Sequence, residues 1–241
     1  TLKTRLLMRT ARLFLTAVAL MIGATAFADE GMWMIQDINE ALEKNMRARG
    51  LKLAANEIYN DEAPGTAVSD AVVSIGFYCT GSVISDQGLI ITNHHCAYSN
   101  IAKLSTPEHN YLEDGFWAMT SEEEIPIEGE TVFFLKKVFD VTEEVKGIMK
   151  EFRAGGKPFG IRKISAIMEK RYKEATGMEC ILSSMWAGEK YYMSVYKTYT
   201  DLRLVAAPPQ SIGYFGGNQD NWTWPRHNCD FTIYRIYEDG K

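Results

Sequence analysis

Residues 79–96 read Cys-Thr-Gly-Ser-Val-Ile-Ser-Asp-Gln-Gly-Leu-Ile-Ile-Thr-Asn-His-His-Cys. Ser82, Val83 and Ile84 make one short β-favouring run, and Leu89, Ile90, Ile91 and Thr92 make a second. Asp86-Gln87-Gly88 between them carries turn chemistry, so the stretch is expected to be a β-hairpin. Its second strand is expected to end on His94 and His95, with a cysteine at each end of the unit. Histidine and cysteine both ligate zinc, but successive residues in a strand point to opposite faces. That argues against one metal shared by His94, His95 and Cys96. Taken by itself, a histidine pair is ordinary polar surface; the flanking strands and cysteines are what give it interest.

The hairpin sits in a chain of 241 residues, 46% hydrophobic and 24% charged, a globular composition long enough for one large domain or two small ones. Residues 1–28 read as a secretory signal. Lys3, Arg5, Arg9 and Arg12 precede an apolar run that ends in Ala26-Phe27-Ala28, with small residues at an expected cleavage site after Ala28. The run is shorter than the roughly 20 apolar residues a membrane-spanning helix needs. Residues 29–241 are then the mature polypeptide, periplasmic or secreted, with no membrane attachment after cleavage. The whole chain has a net charge of -5; without residues 1–28 it has 22 basic against 31 acidic residues, a net charge of -9. An acidic chain without a basic stripe argues against nucleic-acid binding. Export also favours disulfides among Cys79, Cys96, Cys180 and Cys229.

Outward from the hairpin, 35–59 has helical spacing (Ile35, Ile38, Leu42, Met46), expected to break at Gly50. Residues 71–77 are expected to be a buried strand. The stretch 98–126 reads as looser, with His109 and the acidic run Glu122-Glu123-Glu124 on solvated surface. Residues 131–135 and 137–141 are strand-like, and Thr142 is placed to cap a helix reaching 152. A charged helix is expected over 161–175, then a hairpin of 180–185 with 191–196 and a strand over 201–205 that Pro208-Pro209 ends. Lys170, Arg171 and Lys173 read as ordinary exposed helix residues.

A second informative stretch is 216–235. Asn221-Trp222-Thr223-Trp224-Pro225-Arg226-His227 places an amide, two indoles and a guanidinium on one loop, a composition suited to a shaped, partly apolar pocket. Asn228-Cys229-Asp230-Phe231-Thr232-Ile233 follows, with an aspartate just before a β-favouring run. That aspartate reads equally as a turn cap.

Two resemblances give these stretches a role. Gly81-Ser82-Val83-Ile84 leading to Ile91-Thr92-Asn93-His94-His95-Cys96 resembles the first barrel of chymotrypsin-like serine peptidases. There a strand of this kind leads to a histidine next to a cysteine, and a disulfide ties the two strands. The segment 228–233 resembles their Asn-Asn-Asp-Ile-Thr-Leu. The resemblance implies His95 as general base, Asp230 as the acid that orients it, and a Cys79–Cys96 disulfide. His94 and Asp220 stay open as competitors for the two roles, and Cys180 with Cys229 is the remaining pair.

More specifically, the hairpin, the opening Gly31-Met32-Trp33 and the 204–230 segment are similar to bacterial serine dipeptidyl-peptidases seven and eleven and their relatives. Family members share Cys-Thr-Gly-Ser…Thr-Asn-His-His-Cys and Asp-Asn-Trp-x-Trp-Pro-Arg-His-x-x-Asp, here at 79–96 and 220–230. The likeness implies a mainly β fold with helical additions: a chymotrypsin-like double β-barrel with a helical lid domain. It implies an exopeptidase that releases dipeptides from free amino termini, with Asn221 and Trp222 holding the substrate's terminal amine. No metal or organic cofactor is implied. Because family members are often dimers, it extends to a homodimer of the full-length protein. The family's serine lies in a Gly-Asn-Ser-Gly-Ser-Pro-like stretch, and no serine here has a Gly-x-Ser-Gly context. Residues 29–241 are therefore expected to be the amino-terminal part of the catalytic domain, inactive alone, without the nucleophile-bearing region and most of the lid. A trypsin-like endopeptidase domain and a non-catalytic secreted barrel module are the alternatives.

Overall fold

The computed structural model describes residues 33–38, 40–156, 158, 160–217, 224, 227–238 and 240. The chain divides into two compact units, Thr1–Ile38 and Asn39–Lys241. The described part of the first contains one short 3-10 turn, Ile35–Asp37. The expected signal segment lies outside the described residues, among which no helix is long and apolar enough to cross a membrane.

The second unit opens with helix α1 (Glu40–Ala48), which stops just short of Gly50, and a single turn, Ala55–Ile58. Strands β1 (Val72–Ile75), β2 (Cys79–Val83) and β3 (Leu89–Thr92) then pair in succession, all antiparallel. The hairpin is closed by the Ile84 amide donating to the Leu89 carbonyl at 2.9 Å, and the Ser85 hydroxyl accepts from the amides of Gln87 and Leu89. Alternate residues of β3, Ile90 and Thr92, point into the core.

The two histidines do not end a strand. Thr92 is the last ladder residue, Asn93 is the extended N-cap (φ -75°, ψ 150°), and helix α2 (His94–Leu104) begins at once. Ala97 and Ile101, four apart, bury one face of this helix completely, and that periodicity outweighs the β-favouring run before it. Residues 98–104, expected to be loose, are therefore helical.

A single turn, Tyr111–Asp114, leads to β4 (Phe116–Trp117) and β5 (Ile125–Pro126). Glu124 beside β5 is not on solvated surface, although Glu122 and Glu123 are. Its side chain is 2% exposed, accepting from Arg235 Nε at 2.8 Å and from the Tyr237 hydroxyl at 2.8 Å. A buried carboxylate needs such partners.

The two runs expected around 131–141 are one strand, β6 (Val132–Asp140), with a pairing irregularity between Leu135 and Lys137. Helix α3 (Thr142–Ala154) follows. Its cap is Asp140, whose Oδ1 accepts from the Thr142 amide at 3.0 Å, while the Thr142 hydroxyl accepts from the Tyr191 amide. Helix α4 (Ile161–Thr176), β7 (Glu179–Met185), β8 (Lys190–Tyr199), β9 (Asp201–Ala207) and β10 (Thr232–Tyr237) complete the unit. Arg171 and Lys173 of α4 pair with Glu144 and Glu179 at the surface.

The ten strands form one antiparallel sheet in the order β4-β9-β10-β3-β2-β1-β6-β8-β7, with β5 also on β9. One residue, Thr200, joins β8 to β9, yet five strands separate them in that order. A single residue spans only a few ångströms, so the sheet curls until the end of β8 meets the start of β9. Inside the curl Val73, Ile75, Ile90, Val132, Leu202, Leu204 and Tyr234 pack with Ala97 and Ile101 of α2. A second core lies where α3 and α4 cover β7 and β8, built on Val145, Ile164, Met168, Cys180, Tyr191 and Met193.

The molecule is thus mainly antiparallel β with helices. Cys79 and Cys96 form a disulfide. Cys180 and Cys229, the remaining pair, are both free thiols. Cys180 is buried in the second core, 3.5 Å from the Thr176 hydroxyl, whereas Cys229 is exposed beside Asp230 and outside that core.

Candidate active site

Register sets up the site. Thr92 on β3 is directly opposite Thr232 on β10. The chain leaving Thr92 and the chain arriving at Thr232 therefore emerge side by side, and 93–95 meets 230. Asp230 uses both carboxylate oxygens there. Oδ1 accepts from the His95 backbone amide at 3.0 Å, and Oδ2 lies 2.7 Å from His95 Nδ1. Asn93 Nδ2 donates to the same Oδ2 at 3.1 Å and to the Asp230 carbonyl at 3.2 Å.

The Asn93 side chain does not cap α2; the carboxylate from β10's approach does so instead. The first amides of a helix lack intrahelical acceptors and carry partial positive charge, so an anion is favoured there. One carboxylate therefore fixes the start of the helix and the imidazole it presents. An ionised carboxylate only accepts hydrogen bonds, which puts the ring proton on Nδ1 and leaves the lone pair on Nε2. The Asp230 side chain is 12% exposed and that of His95 is 49% exposed, so the acid is sheltered while the ring is open to solvent. A ring in this state can accept a proton at Nε2, with the resulting cation stabilised by Asp230.

His94 is placed differently. Its side chain is wholly buried, and among the described residues neither ring nitrogen has a hydrogen-bond partner. Burial holds its pKa below the usual imidazole value, the Asp230 charge opposes that, and His95 adds to it. A neutral, enclosed ring packs; it does not exchange protons with a ligand. It packs against the turn Gln210–Gly213, where a Cβ added to Gly213 would lie 2.7 Å from His94 Cγ.

That turn starts the loop leading to Asp230, and the loop's return is tied to it by the Cys229 amide donating to the Ile212 carbonyl at 3.0 Å. Both ends of the loop thus sit beside the first turn of α2. Asn221, Trp222 and Asp220 lie outside the described residues. His109 is exposed and stacks on Tyr111, apart from this constellation. Phe231 meets Trp117 of β4 edge-on, giving Asp230 an aromatic neighbour. No group of three or more potential metal ligands occurs among the described residues.

Asn93 and Gly213 join the site without being sequence candidates for it. Asn93 carried a visible signal, since asparagine before a helical run is a cap candidate. Gly213 carried none, because its need arises from a ring more than a hundred residues away.

Comparison with known proteins gives the arrangement its relatives. The sequence model for the peptidase S46 family matches residues 28–241. An Asp/Glu-specific dipeptidyl-peptidase of Porphyromonas gingivalis is 44% identical over 231 residues, 92% of this chain and 31% of the relative. Dipeptidyl-peptidase 7 of Phocaeicola vulgatus is 42% identical over 240 residues, 97% of this chain and 33% of the relative. The crystal structure of Porphyromonas endodontalis DPP11 in complex with the dipeptide Arg-Glu superposes with a TM-score of 0.78 at 41% identity, covering 88% of this chain and 31% of that one. The chain spans about a third of the length of the curated relatives it matches. With a family match over nearly its whole length, the chain belongs to the peptidase S46 family.

Proposed function

We propose that these residues belong to an exported serine dipeptidyl-peptidase, with His95 as its general base and Asp230 as the orienting acid. The observation that carries the reading is the doubly bonded pair: His95 Nδ1 stands 2.7 Å from Asp230 Oδ2, while the His95 amide holds Oδ1. Names among the relatives point to the same chemistry. The curled sheet is read as the first barrel of a chymotrypsin-like double barrel, and the serine is supplied by sequence following 29–241. Residues 1–28 are read as the export signal.

In the reaction, His95 Nε2 takes the serine hydroxyl proton as the oxygen attacks the carbonyl carbon of the substrate's second residue. The imidazolium, stabilised by Asp230, returns that proton to the departing amine, leaving a dipeptidyl ester on the serine. Water, deprotonated by the same nitrogen, then attacks the ester, and the proton passes to the departing serine oxygen, which frees the dipeptide and restores the hydroxyl. Asn221 and Trp222 hold the substrate's free amino group, which sets the cut at two residues. The test offers full-length protein a peptide with a free amino terminus and its N-acetylated twin, with products read by mass spectrometry. Successive dipeptides from the free peptide alone are expected; internal cuts in the blocked peptide would replace this reading with an endopeptidase.

A further inference from the structure

Behind the His95 helix lies a polar cluster, built on buried Glu130 and Asn100, that takes no part in the proton transfers above. Glu130, 9% exposed, precedes β6. Its Oε2 accepts from the Tyr78 hydroxyl at 2.5 Å and from Asn100 Nδ2 of α2 at 3.1 Å. Burial and the Glu130 carboxylate push the Tyr78 hydroxyl up to about 12, so it stays a donor. Tyr234 of β10, fully buried, lies close enough to feel Tyr78, Glu130 and the Asn100 amide, although its hydroxyl makes no bond of proper geometry among the described residues. Backbone conformation is committed to the cluster as well. Gly76 and Phe77 are both left-handed (φ 56° and 59°), and a Cβ on Gly76 would lie 2.3 Å from the Tyr78 ring. A non-glycine residue at positive φ, such as Phe77, is uncommon and costs free energy.

Asn100 lies four residues beyond Cys96, so both stand on one face of α2, about 100–140° round from His95. The β1–β2 turn grips that face twice, through the Cys79–Cys96 disulfide and through Tyr78–Glu130–Asn100. Two fastenings a turn apart prevent the helix from rocking about a single one. A rocking helix would swing the His95 ring off Asp230, and a hydrogen bond of 2.7 Å tolerates only a few tenths of an ångström.

We propose that Glu130 is a positioning residue: with Tyr78 and Asn100 it forms a clamp that holds α2 so that His95 Nδ1 stays on Asp230. The catalytic meaning of the clamp rests on the function proposed above, but its test does not. Histidine-labelled samples of this chain are compared by NMR, reading the Nδ1 proton of His95 and its exchange with water, with the signal assigned by its loss in His95→Ala. Tyr78→Phe and Asn100→Ala each keep the disulfide and remove one arm of the clamp; Tyr78→Phe is the gentler, since its ring is half exposed. Exchange is expected to quicken several-fold, up to about tenfold, the scale of one lost hydrogen bond, and Glu130→Gln, which keeps an acceptor for Tyr78, is expected to lie between wild type and Asn100→Ala. Unchanged exchange in Tyr78→Phe and Asn100→Ala, with only a lower melting temperature, would reduce the cluster to plain scaffold. Because the readout is the ring's own bond, an absence of peptidase activity in the full-length protein would refute the proposed function without touching the clamp.

Discussion

Asp230 and the two histidines divide their work by environment. The open ring of His95 is bonded to a carboxylate, while the adjacent ring of His94 is enclosed and without a partner among the described residues. Enclosure has a consequence for pH. The folded-state pKa of His94 is depressed, so below about 6.5, the ordinary imidazole value, the unfolded chain takes up a proton that the folded chain resists. Unfolding then binds protons, and stability falls as pH falls towards the folded value. Asp230 and His95 are the charged or titratable neighbours that set the size of the effect. The melting temperature is expected to drop between pH 7.5 and 5.5, and His94→Leu, measured by calorimetry across the same range, to show a shallower slope. An identical slope in the variant would mean that His94 is not the group responsible. The sequence offered two histidines and no way to tell them apart except resemblance, because burial is decided by what packs on top.

At the level of elements, the contact of greatest leverage is the turn Gln210–Gly213 against the first turn of α2. Gly213→Ala puts a methyl 2.7 Å from the His94 ring. Overpacking of this kind typically costs 1–3 kcal/mol, about that much being expected here by urea denaturation. Combining it with His94→Ala should recover most of the loss, since the clashing ring is then gone; strictly additive costs would place the strain elsewhere.

The hairpin, β9 and the β7–β8 pair are legible in the sequence because β-favouring runs are set off by turn residues or prolines, and in β3 and β9 burial alternates as well. The start of α2 is not: two β-favouring strands lead into it, and its helical signal is only Ala97, Ile101 and Leu104. Glu124 resembles surface in the sequence for a related reason. Its partners, Arg235 and Tyr237, are over a hundred residues away, so an acidic run looked like solvated surface. The Cys79–Cys96 bridge is what the resemblance implies, but Cys180 with Cys229 is only the remainder, with no geometric reason.

Across the whole second unit, two cores divide the labour. One lies inside the curled sheet and carries α2; the other lies under α3 and α4. Ile101 and Met168 are both fully buried, one in each. Replacing either by alanine is expected to cost about 2–5 kcal/mol. Only Ile101→Ala should also disturb the His95 ring proton, because only that cavity lies beneath the helix presenting the ring. Equal disturbance by Met168→Ala would show that the cores do not act separately. The curl itself was not readable from the strands alone; it follows from β8 and β9 being neighbours in sequence but distant in the sheet.

The claim on which the functional account turns is that His95 moves the proton while Asp230 orients its ring and stabilises the cation. Its most direct test is kcat/KM for dipeptide release by the full-length protein and by His95→Ala and Asp230→Asn. The account predicts losses on the order of a millionfold for His95→Ala and about ten-thousandfold for Asp230→Asn, with both variants folded. Either variant hydrolysing within about tenfold of wild type would contradict it, since a base or its orienting acid accounts for far more than that.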